Sequence, residues 1–203
     1  DSDSLTTNWT VNFVNSSGVI DWSASTYGSI TNSEAIFGED LNGDKVIGFD
    51  ESLLTAKTSD QKGATLSKDS EGSLYIKTTS GDLLTILDSY GSNPYLEYES
   101  SWAEGSNKSE AIQVTKWDNN TASDTNDDKY LLLVKSEYVS QGSTTTDHVL
   151  YTLSLDGVLD WSNSKWNPKL ADYEEAFEYD LNGDEVIGFS SSNLTTRTTD
   201  TTG

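Results

Sequence analysis

The sequence predicts a mainly β fold, an antiparallel sheet or sandwich built from hairpins, with short helical turns leading into two acidic loops. Three observations carry this expectation. Residues 149–155 alternate, with Val149, Tyr151, Leu153 and Leu155 on one side, which is the period of two that a half-buried strand requires. Asp156-Gly157 then stands between two apolar runs, a strong local signal for a tight hairpin turn, and Asn15-Ser-Ser-Gly18 occupies the same place earlier in the chain. Finally, the chain repeats itself. Gly18-Val-Ile-Asp-Trp-Ser23 returns as Gly157-Val-Leu-Asp-Trp-Ser162, and Glu34-Ala-Ile-Phe37 returns as Glu174-Glu-Ala-Phe177. Asp40-Leu-Asn-Gly-Asp-Lys-Val-Ile-Gly-Phe49 returns as Asp180-Leu-Asn-Gly-Asp-Glu-Val-Ile-Gly-Phe189. Matching blocks in the same order, with one residue gained between them, identify duplicated structural units.

Further strands are predicted over residues 74–78, 83–87, 111–117 and 129–136, separated by Ser, Gly, Asn and Asp clusters. Residues 118–128 are polar throughout and read as a mobile loop. Helix is scarce. The short stretches 33–39 and 172–179 lie just before the two acidic loops, each with a capping residue at its start and a Phe on one face. The segment between the repeated blocks has no second copy. The frame is therefore read as the closing half of a first unit over residues 1–65 and a complete second unit over residues 66–203.

Composition narrows the class. A chain of 203 residues can bury a core, but only 33% of its residues are hydrophobic, so that core must be thin. A formal net charge of −22 makes nucleic acid and anionic membrane poor partners. Bound divalent cations or a salty medium such as seawater would relieve the self-repulsion. No apolar run approaches the ~20 residues needed to cross a bilayer, so membrane insertion is not expected, and no basic-then-apolar stretch marks a signal peptide. The chain has no Met and no Cys. It reads as an excerpt of an exported protein stapled by something other than disulfides.

The acidic loops supply that other staple. Calcium takes six to eight oxygen ligands, and a 12-residue loop provides them from positions 1, 3, 5, 7, 9 and 12. In the first loop Asp40, Asn42 and Asp44 hold positions 1, 3 and 5, the carbonyl of Val46 serves 7, and Glu51 stands at 12. Gly48 at position 9 leaves a place for water, and Ile47 at position 8 is expected to pin the loop to the core. The second loop repeats Asp180, Asn182, Asp184, Val186 and Ile187, but ends on Ser191 at position 12. Its shell then needs another carboxylate, for which Glu174, Glu178 and Asp160 are the near choices, or water. Position 6, where the chain turns sharply, is Lys45 or Glu185 rather than Gly, at a cost of roughly 1 to 2 kcal/mol if the left-handed conformation is kept. An Asx-rich turn without metal is the alternative reading of such a loop. Recurrence of the ligand set in a Cys-free acidic chain favours two EF-hand-like calcium loops, and hence two bound calcium ions.

The Trp-bearing hairpin, the Glu-x-x-Phe turn and the Asp-Leu-Asn-Gly-Asp-x-Val-Ile-Gly loop together resemble the tryptophan-rich C-terminal repeat of large cyanobacterial exported proteins. The loop alone is similar to the calcium loops of dockerins and other bacterial half EF-hands. Members more often carry Gly at position 6. The resemblance covers residues 9–49 and 149–189 well and the intervening strands loosely. It implies a secreted, calcium-dependent module with no catalysis attributed to it.

Other features carry less. Trp22 and Trp161 are expected to pack in the core, with sugar stacking on an exposed face as the alternative. Trp102, Trp117 and Trp166 lie outside the repeated block and are better placed to meet sugars. Asp124, Asn126 and Asp128 imitate the first three metal positions, yet a strand follows with nothing to close the shell, so a solvated loop is expected. His148, the only histidine, stands at the head of a strand with no Ser or Cys elbow nearby, and no enzyme activity is expected. The expectation is a noncatalytic calcium-binding repeat at a cell surface, structural or adhesive, with neighbouring repeats and possibly surface glycans as partners. A calcium-dependent carbohydrate-binding module is the rival, and an enzyme fragment the remotest reading.

Overall fold

In the computed structural model the described residues are 10–27, 34, 37–41, 45–60, 62–118 and 128–189. The chain divides into two compact units, Asp1–Leu53 and Leu54–Gly203. The fold is mainly β and antiparallel, with very little helix.

In the first unit, β1 (Thr10–Val14) and β2 (Ile20–Tyr27) form a hairpin. Its turn is organised by one side chain, since Asn15 Oδ1 accepts the N–H groups of Ser17 and Val19 at 2.9 and 3.0 Å. An Asx side chain that meets two turn amides in this way replaces the missing ladder bonds.

The second unit holds two sheets. A four-stranded sheet runs β3 (Thr55–Ser59), β4 (Thr65–Lys68), β5 (Leu74–Lys77) and β6 (Leu83–Thr85), each strand pairing with the next. A five-stranded sheet has the order β11-β10-β9-β8-β7, from β7 (Tyr98–Trp102), β8 (Gly105–Trp117), β9 (Lys129–Ser140), β10 (Ser143–Leu153) and β11 (Leu159–Trp166). Residues 54–65 thus lie in the second compact unit, because β3 pairs with β4.

One turn chemistry joins the strands of the four-stranded sheet and recurs once after it. At Asp60, Asp69, Thr78 and Asp88 a side-chain oxygen accepts the amide four residues on, and a glycine N–H three residues on returns to the same residue's carbonyl. Gly63 and Gly72 show why glycine recurs there, with φ of 93° and 85°. The β10–β11 hairpin repeats the pattern with Ser154 and Gly157, and its bulge between Leu150 and Thr152 corresponds to the one between Val11 and Phe13 in the first unit. Gly157 has a second constraint: a Cβ there would lie 2.6 Å from the carbonyl oxygen of Thr85.

The longer strands outrun their expected bounds. β8 begins at Gly105 and β9 continues to Ser140, because cross-strand pairing with Thr-rich β10 carries polar residues into the ladder. Leu155, expected in the strand, sits in the turn and is exposed. His148 lies in mid-strand rather than at its head. The expected loop at 118–128 falls on residues 119–127, outside the described residues, apart from its two ends.

The five-stranded sheet is covered on both faces along half its length. Tyr130, Leu132 and Val134 join Leu66, Leu74 and Ile76 of the four-stranded sheet in the larger core. Leu131, Leu133 and Leu150 point the other way, onto Phe177 of a one-turn helix, Glu174–Phe177. That is why residues 130–134 are buried without alternation. Between the sheets, Glu97 accepts from Lys57 Nζ at 2.8 Å, Lys68 Nζ at 3.0 Å and the Ala111 N–H at 2.7 Å. Its burial is offset because every donor is supplied by the strands it joins.

Candidate metal centre

The second acidic loop follows the one-turn helix directly. Asp180 Oδ1 accepts the N–H groups of Gly183 at 2.7 Å and Asp184 at 3.2 Å, and Oδ2 accepts that of Glu185 at 2.7 Å. Asn182 Oδ1 takes the Asp184 N–H at 2.8 Å, and Asp184 Oδ1 takes the Val186 N–H at 3.0 Å. Side chains one, three and five of the loop therefore turn inward over its own backbone. Desolvation works to raise the Asp180 carboxyl, but the N–H donors of Glu185, Gly183 and Asp184 outweigh it and hold it below the usual carboxylate range.

Position 6 keeps the sharp turn without glycine. Glu185 has φ of 66° and Lys45 has φ of 73°, left-handed values that cost a side-chain-bearing residue about 1 to 2 kcal/mol. In the first loop the Lys45 N–H reaches Asp40 Oδ2 at 2.8 Å, the same closure that Glu185 makes to Asp180. Asn42 and Asp44 lie outside the described residues, as does Ser191.

Each loop is braced by a glutamate buried before it. Glu174 is fully buried, and its Oε1 accepts the N–H groups of Leu181 and Asn182 at 3.2 and 3.1 Å while Oε2 accepts that of Gly188 at 2.8 Å. Glu34, also fully buried, takes Leu41 N–H at 3.0 Å and Gly48 N–H at 3.1 Å. One carboxylate thus ties position 2 of the loop to position 9 in both copies. Gly188 has φ of 87°, a left-handed value that favours glycine.

The other residues singled out by sequence are placed as follows. Glu51 opens a 3-10 turn, Glu51–Leu53, and is exposed. Glu178 is the left-handed C-cap of the one-turn helix, its N–H returning to the Glu174 carbonyl. Asp160 lies on β11, where Ser162 and then Asn163 hydrogen-bond its carboxylate and hold it below the ordinary range. Asp128 pairs with Lys116 at 2.8 Å, while Asp124 and Asn126 lie outside the described residues. Among the described residues no group of three or more His, Cys, Asp and Glu side chains is placed to hold a metal ion. In the second loop the candidate oxygen donors are Asp180, Asp184, the Asn182 amide and the Val186 carbonyl, hard oxygens of the kind calcium takes.

Two expectations are corrected. Ile47 and Ile187 do not pin their loops to a core: both are exposed, and in the second unit the buried Phe177 does that work. Trp22 and Trp161 do not pack in the core either, being 74% and 46% exposed. Trp161 instead meets Tyr151 edge-on, with ring centroids 5.5 Å apart. The Asp-Trp-Ser segment lies on the second strand of its hairpin, which in the second unit is an edge strand of the five-stranded sheet.

A separate cavity of about 410 Å³ is lined by Asp60, Lys62, Lys116, Asp128 and Tyr130 among others. Nothing in the sequence pointed to it. Asp60 Oδ2, beside it, is one of two buried side-chain polar atoms among the described residues without a hydrogen-bond partner, the other being Thr58 Oγ1.

No protein-family model matches this chain, nor does any curated protein or solved structure at a significant level.

Proposed function

We propose that the chain is a noncatalytic, calcium-binding repeat module of an exported protein, with a structural or adhesive role at a cell surface. The observation that carries the reading is the duplicated loop, in which a residue other than glycine holds the left-handed turn at position 6 and an aspartate at position 1 closes over it. Left-handed residues other than glycine also stand at Tyr95, Gln141, Asn167 and Glu178, so what supports the reading is that the same strain and the same closure recur at the same loop position in both copies, where a bound divalent ion would offset the cost. The resemblance of the hairpin, helical turn and loop to exported cyanobacterial repeats supports the location, and the net charge of −22 supports a role for cations. The carboxylates of Asp40, Asp180 and Asp184 are engaged with backbone amides of their own loops.

Thermal unfolding of the whole chain in millimolar calcium and in excess chelator tests the proposal. Calcium should raise the melting temperature, and the rise should grow with free metal. Identical curves in both conditions would overturn it.

A further inference from the structure

The five-stranded sheet extends well past the core that covers it, and its two exposed faces differ in chemistry. The row Ala111, Val134 and Val149 is the last apolar one. Beyond it, strand alternation sends Glu99, Lys108, Glu110, Lys135 and Glu137 to one face. There Lys108 pairs with Glu110 at 2.8 Å and Lys135 with Glu137 at 2.6 Å. This is an ordinary solvated face.

The opposite face carries Trp102, Tyr98 and Tyr138, with Ser100, Asn107 and Thr145 between them. The three aromatics are 45%, 46% and 49% exposed. They are held rather than loose. The Trp102 indole lies across Gly105, where a Cβ would come within 2.8 Å of Cζ2, and it meets the Tyr138 ring at 5.7 Å and 37°. Asn107 Nδ2 donates to Tyr98 Oη at 3.4 Å. Asp147 is the one charge that the strand registers bring to this face, and the Asn167 amide holds it at 2.6 Å.

We infer that this face binds a neutral polysaccharide, with hexose rings stacked on Trp102 and Tyr138 and their hydroxyls met by Tyr98, Asn107 and Ser100. Aromatic rings with a polar tip suit a ligand whose rings are apolar on their faces and wet at their edges. The amide and hydroxyls between them match a ligand that carries hydroxyls and no charge. Charge selects the class: apart from Asp147, which the Asn167 amide engages, the ionised residues on this stretch of strands β7 to β10 lie on the opposite face, and a chain at −22 repels acidic glycans and anionic lipid. This site does not rest on the calcium reading.

Affinity electrophoresis of the whole chain through gels containing a soluble neutral β-glucan, a mannan or a galactan, with alginate as the acidic control, tests the inference. Run with calcium and again with chelator, it separates failure of this site from failure of the metal loops. Retardation by at least one neutral polysaccharide is expected, weakened roughly tenfold by Trp102→Ala and by Tyr138→Ala. Glu137→Gln, on the opposite face, should leave it unchanged, and Trp102→Phe should keep most of it, which guards against a folding defect. No retardation by any neutral polysaccharide, retardation by alginate alone, or retardation that ignores both alanine variants while their circular dichroism matches the parent would overturn it.

Discussion

The amide of Gly188 donates to the buried carboxylate of Glu174 at 2.8 Å, and the amide of Gly48 makes the same bond to Glu34 at 3.1 Å. A single carboxylate therefore closes each acidic loop across its neck. Glu174→Gln keeps one acceptor oxygen but turns an NH2 toward an N–H donor, so at least one charge-assisted bond is lost. Stability should fall by roughly 2 to 3 kcal/mol in denaturant unfolding, and exchange of the Gly188 amide should quicken. A change below about 0.5 kcal/mol, the level of an ordinary surface substitution, would show that the brace is not needed.

Glu185 holds a left-handed φ of 66° with a full side chain. Glu185→Gly removes the steric penalty of about 1 to 2 kcal/mol and adds back about 0.5 to 1 kcal/mol of backbone entropy. The variant should therefore be more stable by about 0.5 to 1 kcal/mol, read from the denaturant midpoint at unchanged m-value. A loss of stability would mean that the Glu185 side chain contributes something beyond the turn.

Tyr75 donates its hydroxyl to Asp69 Oδ2 at 3.0 Å. Burial first, and the neighbouring Asp69 carboxylate next, push its pKa up to about 12. The folded chain holds this proton more tightly than the unfolded one, so the contribution is fully present below about pH 10 and is lost as the pH rises toward 12. Burial also raises Tyr130 and Tyr151, so spectrophotometric titration should show a late-ionising group of tyrosines, and Tyr75→Phe should remove one member of it. Ionisation of all tyrosines together near pH 10 would contradict this.

The hairpins and the antiparallel pairing were legible in the residues, because alternation and Asp-Gly or Asn-x-x-Gly turns act locally. Loop spacing left the conformation at position 6 open, because Lys45 and Glu185 stand where glycine is usual; both take the left-handed turn. Burial was less legible. Period two in residues 149–155 says that side chains alternate, and it does not say that Phe177 covers the second face and buries Leu150 as well. Trp22 and Trp161 look like core residues by type, but they lie on edge strands and stay exposed. The glutamate brace left a readable trace: Glu34 and Glu174 stand at the same distance before Gly48 and Gly188. The evenly spaced turns at Asp60, Asp69, Thr78 and Asp88 were equally visible as a pattern, and only their hydrogen bonds explain the regularity.

The two loops differ at position 12, Glu51 against Ser191. A glutamate there gives two oxygens and a full charge, and a serine one neutral oxygen. Glu51→Ser should weaken the tighter of two calcium affinities, and Ser191→Glu should strengthen the weaker. Equal affinities unmoved by either substitution would show that position 12 is not a ligand in this protein.

Calorimetric titration of calcium into the chelator-stripped whole chain is the most direct measurement of the central claim. Two ions should bind per chain, with two resolvable affinities, and Asp180→Asn together with Asp184→Asn should remove one of them while leaving the other in place. Absence of saturable binding up to several millimolar calcium, or binding that survives when the position 1 and position 5 aspartates of both loops are replaced, would contradict it.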